Sequence, residues 1–193
     1  MTVNIMKLQD ARKLLEGFDQ KGISVYTIAS LKKIMGNPPE QTFHKTLKRL
    51  VKEEVLIKAV RGIYVYAYAY AADSDSYTLQ HIARAMRQGE YLYLSMESVL
   101  SEAGYISQIL IDRITVMTTG REGTHHTPFG VIEFVHTKRS LNDTLPYLKK
   151  GNGGLLEATA PIAWRDLKRV GRNIDMVQNV PELEMGYGLQ TTC

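Results

Sequence analysis

The stretch PEQTFHKTLKRLVKEEVLIKAVRGIYVY, residues 39–66, decides how the chain is read. Its first half repeats apolar residues at Phe43, Leu47, Leu50 and Val51, the three-and-four spacing that paints one face of a helix. Pro39 falls in the first turn, where its missing N–H is no loss. At about 100° per residue, Gln41, Lys45, Lys48 and Lys52 then lie opposite the apolar face. The second half changes period. VLIKAV, then Arg61-Gly62, then IYVY is rich in β-branched and aromatic residues around a glycine turn, and predicts a β-hairpin.

Working upstream, Leu8, Ala11, Leu14, Leu15 and Phe18 predict a first helix, stopped at Gly22. Thr27 stands where it caps a second helix with Ile28, Leu31, Ile34 and Met35 on its apolar face, ended by Gly36-Asn37-Pro38-Pro39. Three helices, the last two joined by a sharp break, followed by a hairpin describe a winged helix-turn-helix. A helix docked in a major groove needs one apolar face for its own core and a second face of amide and cationic donors. Gln41, Thr42, His44, Lys45, Lys48, Arg49 and Lys52 supply that second face; Gln41, near the start, suits adenine, and Lys48, Arg49 and Lys52 suit phosphates. Lys58 in the hairpin and Arg61 at its tip extend the surface toward a minor groove.

Charge agrees with this division. Up to Tyr66 there are 12 Lys and Arg against 6 Asp and Glu; beyond it there are 12 against 14, so a net +6 precedes a net −2. Clustered cations favour approach to a polyanion. The domains expected are 1–70, the DNA-binding winged helix, and 77–193, an α+β domain with a smaller sheet. Tyr64, Tyr66, Tyr68 and Tyr70 alternate as one long strand does, with all four rings packing on one side, and residues 71–76, AADSDS, form the linker.

In the second region YTLQHIARAMRQG reads as a helix and YLYLS as a strand, with Ser95 capping a short helix, MESVLSEAG, that closes at Gly104. Strands near Arg113 to Thr118 and Val131 to His136 form a β-meander across the polar stretch from Thr119 to Gly130, and Leu155 to Val170 is helical despite Pro161. The fold class is therefore α+β, its strands segregated between helices.

The block YLYLSMESVLSEAGYI, the strand-rich IDRITVMTTGREGTHHTPFGVIEFVHTKRS and the helix EATAPIAWRDLKRVG follow one another in an order that resembles the AbiEi-type antitoxins of bacterial abortive-infection and type IV toxin–antitoxin systems. Ala158, Pro161, Ala163 and Asp166 stand in that family's pattern. The resemblance implies a protein that represses its own operon by binding repeated operator DNA through the winged helix, and such a repressor is expected to bind duplex DNA as a dimer or in several copies. It further implies a second domain that opposes a nucleotidyltransferase-like toxin, with or without touching it.

Other chemistry finds little support. Asp112 and Glu133 are spaced as a nuclease metal pair across a hairpin, but no lysine follows Glu133 at once; Lys138 comes five residues on. His125-His126 is adjacent rather than spaced for one helix face, and reads as a loop tip. GNGG at Gly151 to Gly154 lacks the lysine of a phosphate loop and reads as a flexible turn. Arg165, Lys168, Arg169 and Arg172 form a second basic cluster that reads as solvated surface. The sole cysteine, Cys193, offers no internal disulfide. No enzyme activity, cofactor or metal is expected. The absence of a signal-like start or a bilayer-long apolar run predicts a cytoplasmic protein.

Overall fold

The computed structural model describes residues 7–72, 77–107, 112–180 and 182–184. The linker positions Asp73 to Ser76 and the terminal Cys193 lie outside the described residues. The fold is mixed α+β, and the chain divides into two compact units, Met1–Thr78 and Leu79–Cys193.

The first unit begins with α1 (Leu8–Asp19), which turns Ala11 and Leu15 inward. A short strand, β1 (Val25–Thr27), leads straight into α2 (Ile28–Ile34). Thr27 ends the one and caps the other: the Ser30 N–H donates to Thr27 Oγ1 at 3.1 Å, and the Thr27 N–H donates to Ser30 Oγ at 2.9 Å. This reciprocal box satisfies two amides that the helix itself leaves unbonded. Leu31 faces the core, whereas Ile28 is 36% exposed, so the apolar face expected of α2 is incomplete at its first residue. Next comes α3 (Glu40–Lys52), with Pro39 as its N-cap at φ −53° and ψ 145° rather than inside the first turn. Pro39 still contributes a carbonyl, which accepts the first helical bond from the Phe43 N–H at 2.9 Å.

The hairpin follows as β2 (Leu56–Val60) and β3 (Ile63–Tyr66), and the three strands make an antiparallel sheet in the order β1-β3-β2. Gly62 closes the turn at φ 84°, a conformation that costs other residues a steric clash of Cβ. Register shifts between Lys58 and Val60, an irregularity that adds twist to the ribbon. The core beneath joins Ala11, Leu15, Tyr26, Leu31, Phe43, Leu47, Leu50, Leu56, Tyr64 and Tyr66. Burying each large side chain there is worth about 1.5–3 kcal/mol.

The alternating tyrosines do not form one strand. The strand stops at Tyr66 and α4 (Ala67–Ala72) takes over, so Tyr64 and Tyr66 are buried while Tyr68 is 53% exposed under the Arg12 guanidinium, 5.8 Å from its ring centre. Four alanines among residues 67–72 make helix the better local state, although alternation alone fits a strand as well. Ala71 and Ala72, expected in the linker, belong to this helix.

The second unit contains α5 (Tyr77–Met86) from Leu79 onward, β4 (Leu92–Leu94), α6 (Glu97–Glu102), β5 (Arg113–Thr118), β6 (Gly123–Thr127) and β7 (Gly130–His136). It continues with α7 (Leu141–Thr144), a 3₁₀ turn (Leu145–Tyr147), β8 (Leu148–Lys150), β9 (Leu156–Ala158), α8 (Ala160–Val170) and a second 3₁₀ turn (Ile174–Met176). Its sheet has six strands in the order β6-β7-β5-β4-β9-β8, the larger of the two sheets rather than the smaller.

Several local expectations change here. β5 and β7 are parallel neighbours, not consecutive arms of a meander, because the polar stretch between them contains β6, which pairs antiparallel with β7. A parallel pair needs a connection long enough to return the chain to the same end, and that stretch provides it. The segment from Leu155 is first a strand and only then a helix, with Pro161 in the first turn of α8, where proline is tolerated. Ser95 does not cap α6; Met96 holds that position, and the Ser95 hydroxyl donates to Asp166 instead. The Gly151 to Gly154 turn is packed: a Cβ on Gly153 would lie 2.4 Å from the Gln80 side chain. Among the described residues, no helix is long and apolar enough to cross a membrane.

Candidate nucleic-acid interface

The apolar stripe of α3 fixes its rotation. Phe43, Leu47 and Leu50 are buried in the core of the first unit, so Gln41, Lys45, Lys48 and Lys52 on the opposite side are all exposed. His44 is exposed beside them, while Thr42 and Arg49 flank the stripe and are half-buried. Between Gln41 and Lys52 the helix has no acid, so the positive face is uninterrupted from its second residue to its last. Lys58 is exposed on β2, directly across from Tyr64. Arg61 is exposed at the hairpin turn. Among the described residues, Lys45, Lys48, Lys52, Lys58 and Arg61 have no ion-pair partner.

Two features of this surface escaped the sequence reading. Lys32 and Lys33 occupy the last turn of α2, where cations complement the helix dipole and so attract no special notice. Lys33 is exposed, and the Lys32 ammonium is bonded to Glu40, the first residue of α3. The other side of that carboxylate meets His44 Nε2 at 3.0 Å. The hydrogen bond and charge of Lys32, with His44 behind them, hold the Glu40 carboxyl below the usual carboxylate range. The pairing of Lys32 with Glu40 spans two helices, and no single-helix periodicity announces it.

In the second unit Lys168 and Arg169 of the basic cluster on and after α8 are exposed, as expected, while Arg165 and Arg172 are half-buried, and each of the four meets a partner. Lys168 pairs with Glu184 at 3.0 Å and lies over the Trp164 ring. Arg169 donates to the His136 carbonyl at 3.1 Å. Arg172 closes on Glu97 and Glu133. Arg165 approaches Asp166, its Nε 3.9 Å from the carboxylate.

Asp166 itself is 0% exposed and accepts from Tyr93 Oη at 3.0 Å, Ser95 Oγ at 2.9 Å and Arg139 Nη1 at 3.3 Å. Burial raises its pKa above the ordinary aspartate value, more than the hydrogen bonds from Ser95 and Tyr93 and the charge of Arg139 lower it. Of the two acids spaced across the hairpin, Glu133 has its carboxylate shared by Arg172 and Arg113, the latter at 3.5 Å. His125 and His126 sit within β6 rather than at a loop tip, His125 edge-on to Phe134. Burial, and then the nearby Arg87 charge, lower the His125 pKa, which favours the neutral ring. Among the described residues no group of three His, Cys, Asp or Glu gathers to hold a metal ion.

No family model matches the chain, and no curated protein matches it in sequence. Among solved structures it is similar to the crystal structure of the Rv2827c protein from Mycobacterium tuberculosis. The TM-score is 0.54 and the identity 15%, over 84% of this chain and 61% of that one. The chain thus spans about three-fifths of that protein's length, and at this identity the likeness speaks for the mixed α+β fold alone.

Proposed function

We propose that the chain is a DNA-binding repressor of the antitoxin type, acting in the cytoplasm, whose first unit is a winged helix-turn-helix. One observation carries this reading. The outward face of α3 presents Gln41, Lys45, Lys48 and Lys52, with Lys58 and Arg61 on the adjoining hairpin, and none of these cations is neutralised by a neighbouring acid among the described residues. A helix of about 10–12 Å diameter with such a face fits the major groove, and a hairpin with an exposed arginine fits the narrower groove beside it.

The resemblance of YLYLSMESVLSEAGYI and EATAPIAWRDLKRVG to AbiEi-type antitoxins supports the second half of the proposal. The repressed operon is the protein's own, and the second unit counteracts a nucleotidyltransferase-like toxin. The test is gel retardation of the DNA upstream of the gene. Retention of that fragment, weakened by Lys45→Ala with Lys48→Ala and by added salt, is the expected outcome. Equal retention of a scrambled duplex refutes the repressor reading. Co-purification of the neighbouring gene product tests the antitoxin half separately.

A further inference from the structure

Glu40 is out of keeping with a surface that approaches phosphates. It is the first residue of α3 and the sole acid of that helix, 58% exposed, and it immediately precedes Gln41 on the face described above. A carboxylate there repels every stretch of DNA backbone alike, and so lowers affinity without regard to sequence. Its neighbours nonetheless keep it ionised and oriented, with Lys32 of α2 on one oxygen and His44 Nε2 3.0 Å from the other. An ionised carboxylate has about four acceptor positions, so these two donors leave it room for another.

The beginning of a groove-docked helix stands closest to base edges, not to the backbone. The base groups there that donate hydrogen bonds are the exocyclic amines of cytosine and adenine. Adenine presents its amine beside an acceptor nitrogen, a pattern that suits an amide such as Gln41; cytosine N4 presents a donor alone, which suits a carboxylate. We infer that Glu40 is a specificity residue, accepting from a cytosine N4 amino group in the major groove and penalising duplexes that offer none at that position. The inference rests on the reading of α3 as the groove-docked helix. Discrimination then comes from a repulsive element as much as from an attractive one, because the carboxylate depresses binding to every other sequence.

The experiment selects duplexes from a randomised pool with the full chain and with Glu40→Gln and Glu40→Ala. Affinities for a selected and a scrambled duplex are then measured at one salt concentration. The wild-type sites should share a C·G pair at one position. Glu40→Ala should lose about tenfold in discrimination at that position alone, while binding the scrambled duplex equally well or more tightly. Glu40→Gln should move the preferred base there toward adenine, the partner of an amide. An equal loss on both duplexes makes Glu40 a mere anchor for Lys32 and His44, and overturns the inference. So do variant sites identical to those of the wild type. A wild-type chain that retains no duplex overturns the reading of α3, and this inference with it. Glu40 is exposed, so unchanged thermal unfolding of both variants excludes a folding defect as the cause.

Discussion

Arg172 donates from Nε to Glu97 Oε1 at 2.9 Å, joining the segment after α8 to the first residue of α6 across 75 positions of sequence. The same guanidinium donates from Nη2 to Glu133 Oε2 on β7 at 2.9 Å, and Asn173 Nδ2 donates to Glu97 Oε1 at 2.9 Å. Burial alone pushes the Glu97 carboxyl up, but hydrogen bonds from Arg172, its own backbone N–H and Asn173, with the Arg172 charge, hold it below the usual range.

Arg172→Met should therefore destabilise the protein by about 2–4 kcal/mol, because the Glu97 side chain is only 6% exposed and loses its compensating charge. The measurement is the urea midpoint at neutral pH, with the slope unchanged. Adding Glu97→Gln to that variant should restore part of the loss, since the uncompensated charge is then gone. A solvated arginine would show neither effect.

The Asp166 carboxyl, raised by burial, gives stability the opposite pH dependence from that of Glu97. Between the unfolded value of about 3.9 and the raised folded one, the folded chain holds more protons than the unfolded chain, so this group's contribution falls as pH rises. For Glu97 the contribution is present above about 4.3 and is lost as pH falls through the lowered folded value. The unfolding free energy of the wild type minus that of Asp166→Asn should therefore shrink from about pH 4 upward. Denaturation curves at several pH values check this; a difference that grows with pH would contradict a raised carboxyl.

Gly130 begins β7 at φ 129°, and a Cβ there would lie 2.3 Å from the Asp112 carbonyl oxygen, which accepts from the Val131 N–H at 2.7 Å. Gly130→Ala should cost at least about 2 kcal/mol through strain and the broken contact at the start of the β5–β7 pair. Gly17→Ala in α1, where nothing lies within 4 Å of the added carbon, should instead raise stability by about 0.5–1 kcal/mol. Thermal unfolding of the two variants should move in opposite directions.

On the proposed interface, Lys45→Ala and Lys48→Ala should each reduce the slope of log affinity against log salt by about 0.9, with little change in preferred sequence. Arg61→Ala at the hairpin turn should weaken binding mainly to sites flanked by A·T-rich DNA, whose narrow minor groove attracts a guanidinium. Titration of fluorescent duplexes over a salt series checks both; slopes identical to that of the wild type would remove these side chains from the interface.

Much of the first unit was legible because its signals are local. The spacing of Phe43, Leu47 and Leu50 orients α3 wherever that helix packs, and with it the exposure of Lys45, Lys48 and Lys52. Gly62 and its β-branched flanks announce the hairpin in the same way. Where two local states were equally consistent, reading by period alone went astray: the alternating tyrosines fit a strand, but the intervening alanines continue as helix. Strand β1 is three residues long and too short to carry a periodicity, so the sheet gained a strand that no pattern predicted.

The order of residues alone thus determined two helix faces and a turn, which depend on neighbours within about two turns of chain, and an asymmetry of charge, which is a plain count along it. Only the tertiary structure decided that β5 lies parallel to β7, that the Ser95 hydroxyl serves Asp166 rather than α6, and that Arg172 answers Glu97 and Glu133. Strand partners are chosen by the return path of the chain, and a buried charge by whichever donors the closed core brings within reach. Both are settled between residues far apart in sequence, where side-chain period carries no information.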